Sequence, residues 1–461
     1  MEQGVSFDLD LIRRYDQSGP RYTSYPTAVE FDESFDEAAY KAACARSNES
    51  GRPLSLYFHI PFCDTVCFYC ACNKIATKDR SLVPPYLERV YKELEMQAAL
   101  FDSSRQVEQL HWGGGTPTFL SNAQMTELME MTRRHFKLAG DDVGEYSIEI
   151  DPREADAETI KVLRQIGFNR MSLGVQDFDR RVQEAVNRVQ TEEQTMTVLN
   201  AALDEGFRSV SIDLIYGLPF QSVDSFLKTL DRVIEVNPQR MSIFNYAHLP
   251  ERFKPQRRIN EADLPAPQVK LDILQATIQR LTDAGYVYIG MDHFARPDDE
   301  LTLAQQAGTL YRNFQGYSTH ADCDLIGIGV TSIGMVDNTY AQSRRELAEY
   351  DADIDAGRLP IFRGIELNRD DLIRRDVITR LICHFQLDKA SVASKWGIDF
   401  DVYFADSLEK LKGMEEDGLV ALEPGMIRIL SRGRLLVRNI CMTFDAYLAQ
   451  KTGPIGFSKV I

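Results

Sequence analysis

The sequence predicts an α/β chain: a partial (β/α)6 barrel, preceded by an N-terminal arm and followed by a small, mostly helical, winged-helix-like domain. Three observations carry this. From about residue 50 to 250, short apolar runs alternate with longer amphipathic stretches, as βαβ units of a parallel sheet do. Each of those runs ends in a polar or glycine-rich segment. Near residue 366 the alternation gives way to closely spaced helical patterns and one turn-flanked strand pair. The expected boundaries are 1–36 for the arm, 37–365 for the barrel and 366–461 for the C-terminal domain.

Residues 1–36 hold no clear helical or strand period. Within them Pro20-Arg21-Tyr22-Thr23-Ser24-Tyr25-Pro26-Thr27-Ala28 sets aromatic and polar residues between prolines, either an extended arm over the active site or an ordinary linker. Six apolar runs follow, at 54–60, 107–112, 146–150, 170–175, 210–215 and 241–245. Several are apolar almost throughout, as strands covered on both faces are. Helical patterns lie between them at 86–100, 122–136, 157–166 and 223–236. Right-handed crossovers repeated along such a chain curl the sheet toward a barrel, and six units fall short of the eight of a closed one. In barrels of this kind ligands gather at the C-terminal strand ends, so six polar ends in sequence point to one shared site.

Residues 263–285 read as a further helix, and 286–291 and 325–331 as late strands. Beyond 366, helices are expected at 370–383, 390–395 and 402–416. Strands at 419–422 and 426–430 flank the turn Glu423-Pro424-Gly425, and a last helical run starts at Arg432. This pattern resembles a winged helix, a class that often binds DNA. No dense basic and aromatic stripe accompanies it, so a helical lid or packing domain is favoured.

Composition bounds the function. The 461 residues are 44% hydrophobic and 26% charged, near the average for globular proteins, which excludes wholesale disorder or a fibre. With 52 basic and 69 acidic residues the formal net charge is −17, a poor default for binding nucleic acid or an anionic membrane. No stretch approaches the roughly 18 apolar residues of a spanning helix. No basic segment and apolar core follow Met1, so no signal peptide is visible and the reducing cytosol is the expected compartment.

Of eight cysteines, Cys63, Cys67, Cys70 and Cys72 lie within ten residues, whereas Cys44, Cys323, Cys383 and Cys441 are scattered and read as small buried hydrophobes. The cluster is C-x3-C-x2-C with an aromatic before the third cysteine. Zinc sites pair two close knuckles or add histidines, and ferredoxin-type clusters want four cysteines. A loop of three thiolates can instead hold a [4Fe–4S] cubane with one iron open to a small molecule.

This segment is the signature of the radical S-adenosylmethionine (SAM) superfamily, whose fold is a partial (β/α)6 barrel with the cluster loop after the first strand. In such enzymes SAM chelates the open iron and is cleaved to a 5′-deoxyadenosyl radical. The resemblance runs further. Tyr57-Phe58-His59-Ile60-Pro61-Phe62-Cys63 with the extra Cys72, the 21–28 segment and the loop at 113–118 look like the oxygen-independent coproporphyrinogen III oxidase family. So do Ile150-Asp151-Pro152-Arg153-Glu154, Gly174-Val175-Gln176-Asp177-Phe178, the 213–219 and 245–250 segments, Gly290-Met291-Asp292-His293-Phe294-Ala295 and the 433–442 stretch.

That resemblance implies oxidative decarboxylation of two propionates of coproporphyrinogen III to vinyls, giving protoporphyrinogen IX. Cys63, Cys67 and Cys70 are implied as cluster ligands, with Cys72 not expected to ligate. Two SAM molecules are implied. One would contact Tyr57, Gly114 and Glu149, with Tyr57 and Glu149 as catalytic candidates. The other would contact Tyr69, Gly115, Thr116, Gln176, Arg188, Asp213, Ala247 and Ile333. A guanidinium such as Arg188 suits a carboxylate, and a buried Asp213 needs a partner. Arg21, and more weakly Arg312, are candidates for the substrate's propionates. A small electron donor such as flavodoxin or ferredoxin, a monomer and a cytoplasmic location are also implied. A haem chaperone of the same superfamily is the alternative, although such relatives typically lack the fourth cysteine and the arm. A winged-helix nucleic-acid binder with a redox-sensing cluster is a further alternative, which the net charge argues against.

Overall fold

The computed structural model describes residues 4–140, 143–450, 457 and 459. The chain divides into two compact units, 31–266 with 322–366, and 1–30 with 267–321 and 367–461. This differs from the boundaries expected from the sequence. Residues 267–321, read there as part of the barrel, belong with the two terminal segments, because their strands and helices pack on the helix Arg369–His384.

The first unit carries the barrel. Its parallel strands are β1 (Leu54–Ile60), β2 (Gln106–Gly114), β3 (Glu145–Ile150), β4 (Arg170–Gln176), β5 (Ser209–Tyr216) and β6 (Arg240–Asn245). Each pairs with the next in parallel register, as right-handed βαβ crossovers require. On its other side β1 takes a further parallel partner, β7 (Asp324–Ile328). The sheet then continues antiparallel through β8 (Ile333–Val336), β9 (Thr339–Ser343) and β10 (Ile361–Glu366). The apolar runs became strands because both faces are covered; in β1 only Tyr57 is less than fully buried.

The crossover helices show why the alternation was readable. The helix Val223–Val236 starts at a capping box of Ser222 and Ser225 and stops at Asn237 in the left-handed region. Between them Phe226, Thr229, Leu230 and Val233 are buried at helical spacing, so one face meets the sheet. Asn122–His135 opens on a Ser121–Gln124 capping box, and Ala157–Gln165 on the Asp156 cap. Two helices, Arg180–Ala185 and Glu192–Asp204, follow β4, where the sequence had singled out none. The core packs around Trp112, which meets Phe58 and Phe168 edge-on.

In the second unit, helices Arg369–His384, Lys389–Trp396 and Ala405–Glu416 accompany the hairpin Val420–Glu423/Met426–Ile429. The strand Gln386–Asp388 adds a third member to that sheet. The expected helix at 402–416 is two pieces, Phe400–Tyr403 and Ala405–Glu416, and the last helix begins at Val437 rather than Arg432. Among the described residues of 1–36 are a short α-helix, Leu9–Arg14, too brief to show a period because only Leu11 and Ile12 are buried in it, and one 3-10 turn, Ala28–Glu30. Arg21 is ion-paired with Asp292, and the buried Arg312 lies 4.8 Å from the Tyr317 ring centre. Among the described residues no helix is long and apolar enough to cross a membrane.

Candidate active site

The cysteine loop leaves β1 and is fastened on several sides. A two-residue parallel bridge joins Phe62–Cys63 to Ile75–Ala76. The Phe68 amide donates to the Val186 carbonyl at 2.9 Å, and Asn187 Nδ2 to the Val66 carbonyl at 2.8 Å. His59 is within hydrogen-bond distance of the Asn73 carbonyl through Nε2 and of the Tyr57 hydroxyl through Nδ1, each at 3.1 Å. Arg80 ties Asp64 of the loop to Glu154. A ten-residue loop so held presents its thiols in fixed directions.

The end of β2 closes against it. The Gly115 and Thr116 amides donate to the Ile60 and Phe62 carbonyls at 2.8 and 2.9 Å. A Cβ on Gly115 would stand 2.5 Å from the Phe62 oxygen, so only glycine permits the approach. Gly114, at φ +119°, has the same requirement.

These segments bound one cavity of about 320 Å³. It is lined by Cys63, Cys67 and Cys70, by Cys72 and Lys74, and by Tyr69, Gly114, Gly115, Thr116, Glu149, Gln176, Arg188 and Asp213. Glu149, at the end of β3, accepts from the Gly114 amide at 3.2 Å and lies 3.4 Å from His111 Nε2. Desolvation pushes its carboxyl up, but His111 and the Gly114 amide hold it below the usual carboxylate range. Asp213, on β5, is pushed up to about 6 by burial, against the hydrogen bonds of Ser172 and Ser242. Gln176, at the end of β4, sits at φ +68°, a strained conformation for a non-glycine residue. Its buried Oε1 has no hydrogen-bond partner among the described residues.

Three sequence-derived positions lie off the lining. Tyr57 stacks on His111 with ring centres 5.8 Å apart and points its hydroxyl at His59. Ile333 begins β8 beside Gly327, the residue that pairs with Tyr57 across β1 and β7; a Cβ there would meet the Ile333 backbone at 2.9 Å. Ala247 follows β6, and Gln256 Nε2 joins its carbonyl to that of Tyr69 at 3.3 and 3.1 Å.

Asp151 and Arg153 also line the cavity and had received no role from the sequence, although their Asp-Pro-Arg segment was visible as a polar strand end. Asp151 accepts from Arg153 Nη2 at 2.6 Å and from Arg188 Nη1 at 3.0 Å. Burial pushes Asp151 up, but the two guanidiniums bring it down to about 2. Both also reach the sulfur of Cys67, each at 3.4 Å. Arg188 Nη2 donates to the Gly174 carbonyl, while its buried Nε has no partner among the described residues.

The donor set fits an iron–sulfur cluster. Burial, then Cys70 and Cys67, push the Cys63 thiol up to about 12, while the hydrogen bond from Cys72, with Lys74, holds Cys70 below the usual thiol range. Three crowded thiolates repel unless a cation lies between them. The unpartnered Gln176 Oε1 and Arg188 Nε supply an acceptor and a donor for a polar ligand alongside.

Known proteins resemble this chain over nearly its whole length. The model of the radical SAM superfamily matches residues 57–233, and that of the HemN C-terminal domain residues 367–436. The chain is 55% identical to the oxygen-independent coproporphyrinogen III oxidase of Pseudomonas aeruginosa, over 99% of both chains. It is 53% identical to the enzyme of that name from Escherichia coli, over 100% of this chain and 99% of the other. The solved structure of coproporphyrinogen III oxidase (HemN) from Escherichia coli, described as a radical SAM enzyme, superposes with a TM-score of 0.92 and 51% identity, over 96% of this chain and 100% of that one.

Proposed function

This chain belongs to the oxygen-independent coproporphyrinogen III oxidase family of the radical SAM superfamily, and on that premise we propose that it converts coproporphyrinogen III to protoporphyrinogen IX by oxidative decarboxylation of two propionates. The observation that carries the reading is the convergence of the C-x3-C-x2-C thiols, the glycine-rich end of β2, Glu149, Arg188 and Asp213 on one cavity. A [4Fe–4S] cluster with SAM supplies, when bound there, the 5′-deoxyadenosyl radical that takes hydrogen from the propionate side chain.

The residues divide the remaining work. Cys63, Cys67 and Cys70 would hold the cluster as thiolates, and the cluster would supply the electron that cleaves SAM. Gly114 and Glu149, with Tyr57 behind them, position that SAM; the Glu149 carboxylate, kept ionised, accepts from an ammonium or a ribose hydroxyl. Arg188, Gln176 and Asp213 hold a second SAM, with Tyr69, Gly115, Thr116, Ala247 and Ile333 around it. Arg188 offers a guanidinium to a carboxylate, and Gln176 Oε1 accepts the donor it now lacks. Propionate binding by Arg21 and Arg312, a small flavodoxin- or ferredoxin-like electron donor, a monomeric state and a cytoplasmic location complete the reading. A haem-chaperone role is not favoured, because the family match runs over nearly the whole chain.

The test is an anaerobic assay of protein with its cluster reconstituted and reduced, supplied with SAM and coproporphyrinogen III. Protoporphyrin is expected after oxidation, with one 5′-deoxyadenosine for each propionate lost. Deoxyadenosine without protoporphyrin would remove the substrate and keep the superfamily chemistry. Haem binding without SAM cleavage would overturn the enzyme reading.

A further inference from the structure

The cavity holds a device that cluster ligation alone does not require. Two guanidiniums, one just after β3 and one in the loop between the helices Arg180–Ala185 and Glu192–Asp204, converge on one ligand sulfur: Arg153 Nη2 and Arg188 Nη1 each lie 3.4 Å from Cys67 Sγ. One carboxylate, Asp151, aims both. Its Oδ2 takes Arg153 Nη2 and Arg188 Nη1, and its Oδ1 takes Arg153 Nε at 3.0 Å. Arg153 is only two residues from Asp151, so an ion pair between them could have formed facing solvent at little cost. It is instead folded inward, with side-chain exposures of 15% for Arg153 and 10% for Asp151. Drawing charges out of water is unfavourable unless the geometry does something with them.

We propose that Asp151, Arg153 and Arg188 form a clamp on Cys67 that raises the reduction potential of the cluster, with Arg153 as the positioning residue of that clamp. Hydrogen bonds to ligand sulfurs and nearby positive charge stabilise the reduced, more negative state of an iron–sulfur centre. Two arginines against one aspartate leave one net positive charge beside the sulfur. Delivery of one electron from a donor to the cluster becomes more favourable, and SAM cleavage depends on that electron. The inference rests on Cys67 being a cluster ligand, as proposed above.

The test is an anaerobic redox titration of reconstituted holoenzyme without SAM or substrate, following the electron paramagnetic resonance signal of the reduced cluster. At the wild-type midpoint, Arg153→Met is expected to lower the ratio of reduced to oxidised cluster about tenfold, a shift of 59 mV to more negative potential for one electron. Arg153→Lys, which keeps the charge and loses the fork, is expected between the two. Asp151→Asn removes the opposing charge and is expected to move the midpoint the other way. A merely structural clamp would not give shifts of opposite sign. Should Arg153→Met fail to take up iron and sulfide, the signs for Arg153→Lys and Asp151→Asn decide. An unchanged midpoint in cluster-replete Arg153→Met or Arg153→Lys overturns the inference while leaving the enzyme reading intact. A wild-type protein that binds no cluster overturns the ligand assignment and this inference together.

Discussion

Two buried arginine–aspartate pairs sit at opposite ends of the barrel strands, and they are finished differently. At the N-terminal ends Arg105 bonds Asp324 at 2.6 Å. Its Nε donates to the Arg52 carbonyl at 2.7 Å, and its Nη1 to Ser47 and Asn48 at 2.9 and 3.1 Å. Asp324 is completed by Ser47 and by the Asp337 amide at 2.9 Å. At the C-terminal ends Arg188 bonds Asp151 at 3.0 Å with comparable burial, yet its Nε is unpartnered among the described residues. Gln176 beside it leaves an oxygen unpartnered and holds a strained backbone. A buried polar group with every bond made serves architecture; the same chemistry left incomplete, with strain alongside, marks where a ligand completes it.

The largest expected effect lies at the open end. Cys67→Ala removes a ligand and the clamp's target together, so cluster content, followed by its visible absorption, and 5′-deoxyadenosine formation should both fall to background. The sharper contrast sets Arg105→Met against Arg188→Met. Truncating Arg105 leaves the buried Asp324 with the partly exposed Arg52 guanidinium 4.0 Å away in place of its 2.6 Å partner, and should cost up to about 3–5 kcal/mol in denaturant unfolding, with SAM affinity unchanged in the folded protein. Arg188→Met leaves Arg153 to neutralise Asp151, so stability should change by no more than about 1 kcal/mol. SAM affinity should weaken roughly 10- to 100-fold, the worth of hydrogen bonds to a charged group. Equal destabilisation by the two variants would break the comparison.

How much of this was readable beforehand follows from the range of the interactions. Strand β1 was legible to its last residue because Leu54, Leu56, Phe58 and Ile60 recur along it at strand spacing and the run ends with them. The cysteine loop was legible because its spacing is local, and the four scattered cysteines are buried, as a role as small hydrophobes requires. The clamp was not legible. Arg188 is 37 residues from Asp151, and Arg153 is 86 from Cys67, so no pattern in the chain joins them. Nor was the allegiance of residues 267–321, whose helix and strand patterns look the same whichever core they pack on.

A third buried carboxylate tests the contrast through pH. Glu93, in the helix Val83–Ala98, accepts from the Gly329 amide at 2.8 Å and the Tyr350 hydroxyl at 2.6 Å. Burial nonetheless pushes it up to about 7, outweighing those bonds and that of Gln97. A carboxyl raised on folding binds more protons in the native state between about 4.5 and 7, so stability falls as pH rises through that window. The loss approaches about 3 kcal/mol above pH 7. Glu93→Gln keeps both acceptor contacts on its amide oxygen and cannot ionise. It should therefore match the wild type at pH 5 and exceed it at pH 8, as denaturant midpoints would show. A parallel pH profile for the two proteins would mean that Glu93 is neutral or solvated, and that closed networks at this end of the sheet are not under charge strain.

The smallest effect concerns the strain at Gln176. At φ +68° a side chain costs about 1 kcal/mol or more relative to glycine. Gln176→Gly relieves that cost, offset in part by the extra freedom glycine brings to the unfolded chain. The variant should thus be equal to or up to about 1 kcal/mol more stable than the wild type while binding SAM more weakly, since it loses the unpartnered Oε1. Gain of stability with loss of affinity is the signature of a residue held in place for a ligand. Loss of both would show instead that Gln176 knits β4 to its surroundings, and would move it to the architectural side of the comparison with Arg105 and Asp324.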